Sequence, residues 1–176
     1  MTTPTEILNK LFELMKLKNS DYGNSFMNSL ARFNLIAAIV RISDKIERLV
    51  SLNNKTAEEI NFESLKDTYE DLLNYCLMTV VYIKYGLLDE KKFPEYYEII
   101  KNEVENYYNS DVKEIEYISM NVDITELFNI FITNYHHIFN LPYSQLIEVE
   151  EVKNNNVCTY LFNIINMCLC KLKYFD

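Results

Sequence analysis

Residues 35–49 read LIAAIVRISDKIERL, and this stretch decides the fold class. Its apolar residues recur every three or four positions, which places Leu35, Ile39 and Ile42 on one helix face and the charged residues on another. Elsewhere, no alternation of apolar and polar residues is long enough to indicate a strand. We therefore predict an all-α protein in which the second helix covers about residues 28–51.

The sequence on either side of this stretch is also helical in pattern. A capping box formed by Thr3 and Glu6 begins a first helix, which ends near Gly23, a residue suited to a left-handed cap. A third helix is predicted over residues 57–85, and the short connection before it should make the second and third helices antiparallel partners in a bundle. Further helices are predicted over residues 94–108, 123–139, 143–152 and 155–173.

The composition of the 176-residue chain excludes several classes of protein. Two glycines are too few for a P-loop or a Rossmann fingerprint. A formal net charge of −9 disfavours binding along a nucleic acid, which needs a basic face. No apolar run is long enough for a membrane span, no secretory signal is present, and the four cysteines lack CxxC spacing. We expect a cytoplasmic protein with free thiols and with no membrane or long nucleic acid as partner.

Arginine is concentrated in the second predicted helix. All three arginines of the chain, Arg32, Arg41 and Arg48, lie within one 17-residue stretch. The planar guanidinium group matches the oxygens of a phosphate or a carboxylate. The clustering favours a phosphate-binding surface, and the alternative is an ordinary solvated helix surface.

Carboxylates cluster opposite the main apolar faces of the second and third predicted helices. The second helix has Asp44 and Glu47 there, and the third has a stripe made of Glu63, Asp67, Glu70, Asp71 and Asn74. Antiparallel packing would bring these charged ends together, where carboxylate oxygens can converge on Mg²⁺. The alternative is a solvated face, on which the charged residues of the second helix pair with one another.

Three motifs follow one another along the chain: Lys18-x-x-Asp21-Tyr22-Gly23, Arg41-Ile-Ser-Asp44-Lys45-x-x-Arg48 and Glu63-x-x-x-Asp67-Thr68-x-x-Asp71-Leu72-x-Asn74-Tyr75. In order and rough spacing, the region 5–86 resembles the phage and bacterial family called nucleotide modification associated domain, type 1. The helix-borne carboxylates are also similar to those of the all-α nucleoside triphosphate pyrophosphohydrolases, the MazG-like and dimeric dUTPase group. Those enzymes bind Mg²⁺ and cleave between the α and β phosphates.

The resemblance implies a Mg²⁺-dependent pyrophosphohydrolase that acts on a nucleotide or a modified nucleotide. Its metal ligands would be Asp44, Glu47, Asp67 and Asp71. The base for the attacking water would be Glu63 or Glu70. The substrate would be bound at its phosphates by Arg41, Lys45 and Arg48, at its sugar or base by Lys18, Asp21 and Tyr22, and by Asn74.

Two other functions stay open at this point. The second predicted helix has Asp44 and Glu47 where the pyrophosphohydrolases have a Glu-Glu-x-x-Glu run, so a non-catalytic nucleotide-binding protein would use many of the same residues. Such a protein could sequester a nucleotide signal in a phage–host conflict. The third possibility is a structural or interaction protein with solvated acidic stripes.

Domain organisation and assembly complete the expectations. We divide the chain into a nucleotide-handling helical module, residues 1–87, and a C-terminal helical region, residues 88–176, packed on it. The last predicted helix is too apolar to be exposed, and modules of this type often place their sites between subunits. We therefore expect a homo-oligomer in the cytoplasm of a bacterial or phage-infected cell.

Overall fold

The chain forms a bundle of α-helices in the computed structural model, which describes residues 2–54, 62–89, 91–110 and 122–175. The side chains of residues 18–22, 62, 63 and 110 lie outside this description, as does the predicted start of the third helix at residue 57. The described residues contain no strand, which confirms the all-α prediction. The α-helices are α1 (Pro4–Tyr22), α2 (Ser25–Phe33), α3 (Leu35–Asn53), α4 (Phe62–Tyr85), α5 (Phe93–Ser110), α6 (Ile124–Tyr135), α7 (Tyr143–Leu146), α8 (Glu150–Lys153) and α9 (Asn156–Leu172).

The first helix begins as its sequence predicts. The Thr3 hydroxyl accepts a hydrogen bond from the Glu6 amide at 3.2 Å, and the Glu6 carboxylate accepts one from the Thr3 amide at 2.7 Å. This capping box satisfies two amides that a helix start leaves unpaired. Gly23 follows the helix with a φ of 61° and a ψ of −164°, so the predicted left-handed helical cap is wrong in its ψ angle.

The prediction of one helix over residues 28–51 is wrong, because Asn34 divides it into α2 and α3. Asn34 has a φ of 55°, which a helix interior does not allow. Its side-chain amide donates to the carbonyl of Asn140 at 3.0 Å, and the Ile36 amide donates to the carbonyl of Phe139 at 3.1 Å. The break therefore depends on hydrogen bonds to a segment more than a hundred residues away in the sequence. Hydrophobic periodicity cannot reveal such a contact.

Helices α3 and α4 pack antiparallel, as predicted. Lys45 contacts Asp71 and Arg48 contacts Ser64, so higher numbers on α3 meet lower numbers on α4. The apolar face predicted for α3 is buried along its whole length, from Leu35 to Leu49. On α4 the predicted apolar face is buried from Tyr69 to Ile83, while Leu65 is half-buried.

The last helix packs along α4 and is mostly enclosed. Twelve of the 17 residues of α9 are buried within one chain, including Cys158, Cys168 and Cys170. These three thiols and Cys76 of α4 are free, and burial raises the pKa of Cys158 to about 12. The apolar character of α9 is thus satisfied without a second subunit. The argument that led from this helix to a homo-oligomer no longer applies, and the homo-oligomer itself stays a prediction.

The C-terminal region differs from its predicted outline in two places. The predicted helix over residues 123–139 is α6 followed by a 3₁₀ turn at His136–Ile138, and Asp123 caps it by accepting from the Thr125 amide at 2.8 Å. The helix predicted over residues 143–152 is wrong, since two single turns, α7 and α8, occupy this stretch.

One contiguous core contains side chains from both predicted units, 1–87 and 88–176, and the boundary between them stays a prediction. Among the described helices, none combines the length and the hydropathy that crossing a membrane requires.

Candidate functional site

The site is built on a cationic row along α3. Arg41, Lys45 and Arg48 follow one another at spacings of four and three residues, so they share the flank of the helix that faces α4. Lys45 donates from Nζ to Oδ2 of Asp71 at 2.8 Å, and Arg48 donates to the Ser64 hydroxyl at 2.8 Å. Arg41 is exposed. The row therefore presents three cations along the line where α3 and α4 meet. We call this line, which is marked by Arg41, Lys45, Arg48 and Asp71, the groove between α3 and α4.

The Lys45–Asp71 ion pair is partly shielded from water. The side chain of Lys45 is 20% exposed and that of Asp71 is 27% exposed. A pair at this depth is screened less by salt than a surface pair, and it holds both charged groups at fixed positions. It is the point at which the cationic row of α3 meets the acidic stripe of α4.

Asp44 and Glu47 lie on the outward face of α3. Both are exposed, and neither forms an ion pair within the described part of the chain. Arg41 likewise has no ion pair there. The alternative in which the charges of this helix pair with one another is therefore not what the structure shows, since the paired residue, Lys45, reaches across to α4.

The acidic stripe of α4 is divided between two neighbours. Asp67 is exposed and lies one turn before Asp71, on the side of α3. Glu70 is only 8% exposed, and one of its carboxylate oxygens lies 3.5 Å from Nζ of Lys10 on α1. Asn74 accepts a hydrogen bond at 2.8 Å from the hydroxyl of Tyr97 on α5. The stripe thus places two carboxylates on the α3 side and directs two polar groups to α1 and α5.

Sequence reasoning missed these polar contacts of α4 and a further one between α1 and α5. Tyr97 is fully buried, and burial raises the pKa of its hydroxyl. Lys101 is 6% exposed and donates from Nζ to Oδ1 of Asn9 at 2.7 Å. These contacts join α1, α4 and α5 through residues that are distant in sequence, and no motif spacing predicts them.

The first motif is followed directly by residues that contact α4 and the loop after it. The side-chain amide of Asn24 donates to the carbonyl of Leu88 at 3.2 Å, just beyond the C-terminal end of α4. With Lys10 beside Glu70, this contact shows that α1 runs parallel to α4. At 1.5 Å per residue, Asp71 lies about 21 Å along the axis from Tyr85 at that end. The ring of Phe26, three residues after the motif, nevertheless lies 5.4 Å from the ring of Tyr75, and Tyr75 is one helical turn from Asp71. The side chains of Lys18, Asp21 and Tyr22 lie outside the described part, as does that of Glu63.

The carboxylates predicted to bind Mg²⁺ could hold the ion only together with the phosphate oxygens of a bound molecule. No three histidine, cysteine, aspartate or glutamate side chains among the described residues are grouped so that they could hold a metal ion. Asp67 and Asp71 nevertheless lie one turn apart on α4, next to Lys45. Mg²⁺ is commonly held by one or two carboxylates together with substrate phosphates, because it keeps several waters and rarely takes a cage made only of protein groups. Asp67 and Asp71 could supply the two carboxylates of such a site, and the binding of Mg²⁺ stays a prediction.

An all-α bundle with a cationic row facing two carboxylates is thus the setting of the site. Residues 18–83 match the family model described as nucleotide modification associated domain 1, which confirms the resemblance inferred from the three motifs. The match begins at the first motif and ends in α4, so it includes α2, α3 and the Lys45–Asp71 pair. The similarity to MazG-like enzymes stays a prediction. Comparison with curated proteins and with solved structures gives no match.

Proposed function

We propose that the groove between α3 and α4 binds the phosphates of a nucleotide together with Mg²⁺. The observation that carries the proposal is the Lys45–Asp71 pair, which places an ammonium and a carboxylate 2.8 Å apart inside the segment that matches a nucleotide-associated domain. Phosphate oxygens need cationic donors, and a Mg²⁺ ion that bridges them needs a carboxylate. The pair supplies one of each.

The neighbouring residues extend this pair into a binding surface. Arg41 is exposed and unpaired within the described residues, so its guanidinium group is available for a bidentate contact with phosphate. Arg48 lies one turn beyond Lys45, at the start of α4. Asp67 is exposed and can join Asp71 in holding the cation. In this proposal Lys45 would donate to a phosphate oxygen, and Asp71 and Asp67 would hold the cation, which would neutralise the phosphate charge.

Cleavage of the nucleotide is the second candidate function, and it needs a base for water in addition. Glu70, one of the two residues predicted for this role, points to Lys10 on α1 and not into the groove. The side chain of the other, Glu63, is not among the described ones. We therefore put binding first, because Glu70 faces α1, and pyrophosphohydrolysis would require another base such as Glu63.

Calorimetric titration with the common ribo- and deoxyribonucleoside triphosphates, in Mg²⁺ and in EDTA, tests the proposal. We expect at least one nucleotide to bind in Mg²⁺ and to bind about tenfold more weakly in EDTA, a change of about 1.4 kcal/mol. Mass spectrometry of the same samples separates the two candidates. Recovery of intact nucleotide supports binding alone, and release of monophosphate and pyrophosphate supports hydrolysis. Absence of binding under both conditions would contradict the proposal and favour a structural or interaction protein.

A further inference from the structure

Two aromatic side chains from different helices meet next to the Lys45–Asp71 contact. The ring of Phe26 on α2 lies 5.4 Å from the ring of Tyr75 on α4, and the two ring planes are tilted by 44°. Both side chains are half-buried against the core, so part of each stays open to solvent. We call these two residues the Phe26–Tyr75 pair.

The register of α3 and α4 places the Phe26–Tyr75 pair at one end of the groove. Tyr75 follows Asp71 by four residues on α4, and Arg41 precedes Lys45 by the same number on α3. Because the two helices are antiparallel, both steps lead one helical turn, about 6 Å, in the same direction from the Lys45–Asp71 contact. Arg48 meets α4 in the opposite direction. The aromatic pair therefore marks one end of the groove and Arg48 marks the other.

A nucleotide has the same order of chemical groups as this part of the groove. Its phosphates are charged and need cations and donors such as Lys45, whereas its base is flat and stacks on aromatic rings. One helical turn, about 6 Å, is close to the distance that the sugar puts between the phosphate and the base. With the phosphates at Lys45 and Asp71, the base therefore reaches Tyr75.

The Phe26–Tyr75 pair also belongs to the segment that matches the nucleotide-associated family. The match covers residues 18–83 and so includes both rings, one from α2 and one from α4. The comparable pair formed by Tyr85 and Tyr96, with ring centroids 4.5 Å apart, lies beyond the end of the match. Of these two pairs, only the first is both inside the matched segment and next to the groove.

We propose that Tyr75 stacks on the base of the nucleotide whose phosphates the groove binds, and that Phe26 supports the Tyr75 ring. This inference rests on the proposed function and adds to it the end of the groove that takes the base. Stacking uses the flat face of a ring, which every base can meet, so Tyr75 contributes affinity without selecting one base. The ligand class is thus a nucleotide with its base, and an inorganic polyphosphate lacks the group that Tyr75 recognises.

Calorimetric titration in Mg²⁺ with two ligands tests the inference. One is the common nucleoside triphosphate that binds the wild type best, and the other is inorganic tripolyphosphate, which has the phosphates without a sugar or a base. Tyr75→Leu should bind the nucleoside triphosphate about tenfold more weakly, because it removes the stacking surface, and should bind tripolyphosphate within about twofold of the wild type. Tyr75→Phe keeps the ring and should bind both ligands within about threefold of the wild type.

Tyr85→Leu is the matched control. Tyr85 is also a half-buried tyrosine of α4 in an aromatic pair, but it lies about 21 Å along the helix from Asp71, so this variant should bind both ligands within about twofold of the wild type. Equal weakening of both ligands by Tyr75→Leu, or unchanged binding of both, would overturn the inference, because Tyr75 would then not act on the base. If neither ligand binds the wild type, the proposed function itself is contradicted, and this inference with it.

Discussion

Nζ of Lys45 and Oδ2 of Asp71 lie 2.8 Å apart across the antiparallel helices α3 and α4, and both side chains are mostly shielded from water. This contact gives the acidic stripe of α4 a cationic partner that a helical-wheel argument on either helix alone does not reveal. It also reports the register of the two helices, since a shift by one residue would rotate Asp71 away from Lys45. The same two groups therefore contribute to the stability of the helix pair and to the proposed binding of phosphate.

The ion pair determines what the neutralisation of Asp71 does to stability. If the carboxylates of α4 mainly repel one another, Asp71→Asn stabilises the protein; with Lys45 as partner, we expect it to destabilise the protein by about 1 kcal/mol. Urea denaturation of the wild type, Asp71→Asn, Lys45→Met and the double variant measures the coupling between the two residues. A stabilising Asp71→Asn, with no coupling to Lys45, would show that repulsion outweighs the pair.

Asn166 is a polar residue whose removal should raise stability. It is completely buried in α9, and neither polar atom of its amide has a hydrogen-bond partner within the described structure. Burying an unpaired polar group costs about 1–3 kcal/mol, so Asn166→Leu should increase the free energy of unfolding by about 1 kcal/mol or more. The matched control is Asn163→Leu on the same helix, which removes the acceptor of a 2.9 Å bond from Tyr107 and should destabilise. Urea midpoints that fall for both variants would contradict this expectation.

The break at Asn34 predicts an order of stability for two substitutions. Alanine keeps the unfavourable positive φ and loses the bond to Asn140, so Asn34→Ala should cost about 1–2 kcal/mol. Glycine also loses the bond, but it adopts a φ of 55° without strain, and Asn34→Gly should remain within about 1 kcal/mol of the wild type. Thermal melts of the two variants test the order. An Asn34→Ala protein at least as stable as Asn34→Gly would mean that the backbone at this position is not strained.

Buried tyrosines should make the protein unfold at high pH. Burial raises the pKa of Tyr69 from 10.0 to about 12 and also raises the pKa of Tyr97. Because the folded state keeps a proton that the unfolded state releases, the stability is complete below pH 10 and is lost as the pH rises towards 12. Tyr69 alone contributes at most about 1.4 kcal/mol per pH unit in this window. Tyr69→Phe should flatten the pH dependence of the unfolding midpoint above pH 10, and an unchanged slope would show that Tyr69 ionises freely in the folded protein.

The fold class and the pairing of α3 with α4 could be predicted because both follow from local patterns. Leu35, Ile39 and Ile42 define a helix face from their spacing alone, and the short connection after Asn53 leaves little choice but an antiparallel neighbour. The capping box at Thr3 and Glu6 is equally local. By contrast, the break at Asn34 depends on the carbonyl of Asn140, so the pattern around residue 34 reads as one continuous helix.

The sequence predicts which residues belong to the candidate site better than it predicts which neighbouring helix each of them faces. The charges of the second and third motifs identified the helices that carry it, and Lys45 and Asp71 do meet. Which neighbour each α4 side chain faces is decided by α1 and α5, through Lys10 beside Glu70 and Tyr97 beside Asn74. Those contacts depend on tertiary packing, and a helical wheel places all the acidic residues on one surface.

The central claim is that the groove between α3 and α4 binds nucleotide phosphates through Lys45, and a calorimetric comparison of two lysine variants tests it most directly. Lys45→Met and Lys153→Met each remove one positive charge and one lysine–carboxylate pair, since Lys153 lies 3.1 Å from Glu148 on the far C-terminal region. In Mg²⁺, with the nucleotide that binds the wild type best, we expect Lys45→Met to bind at least about tenfold more weakly, as a lost charged hydrogen bond of about 1.5–3 kcal/mol requires. Lys153→Met should bind within about twofold of the wild type. Equal affinities for the two variants would contradict the assignment of Lys45 and of the groove.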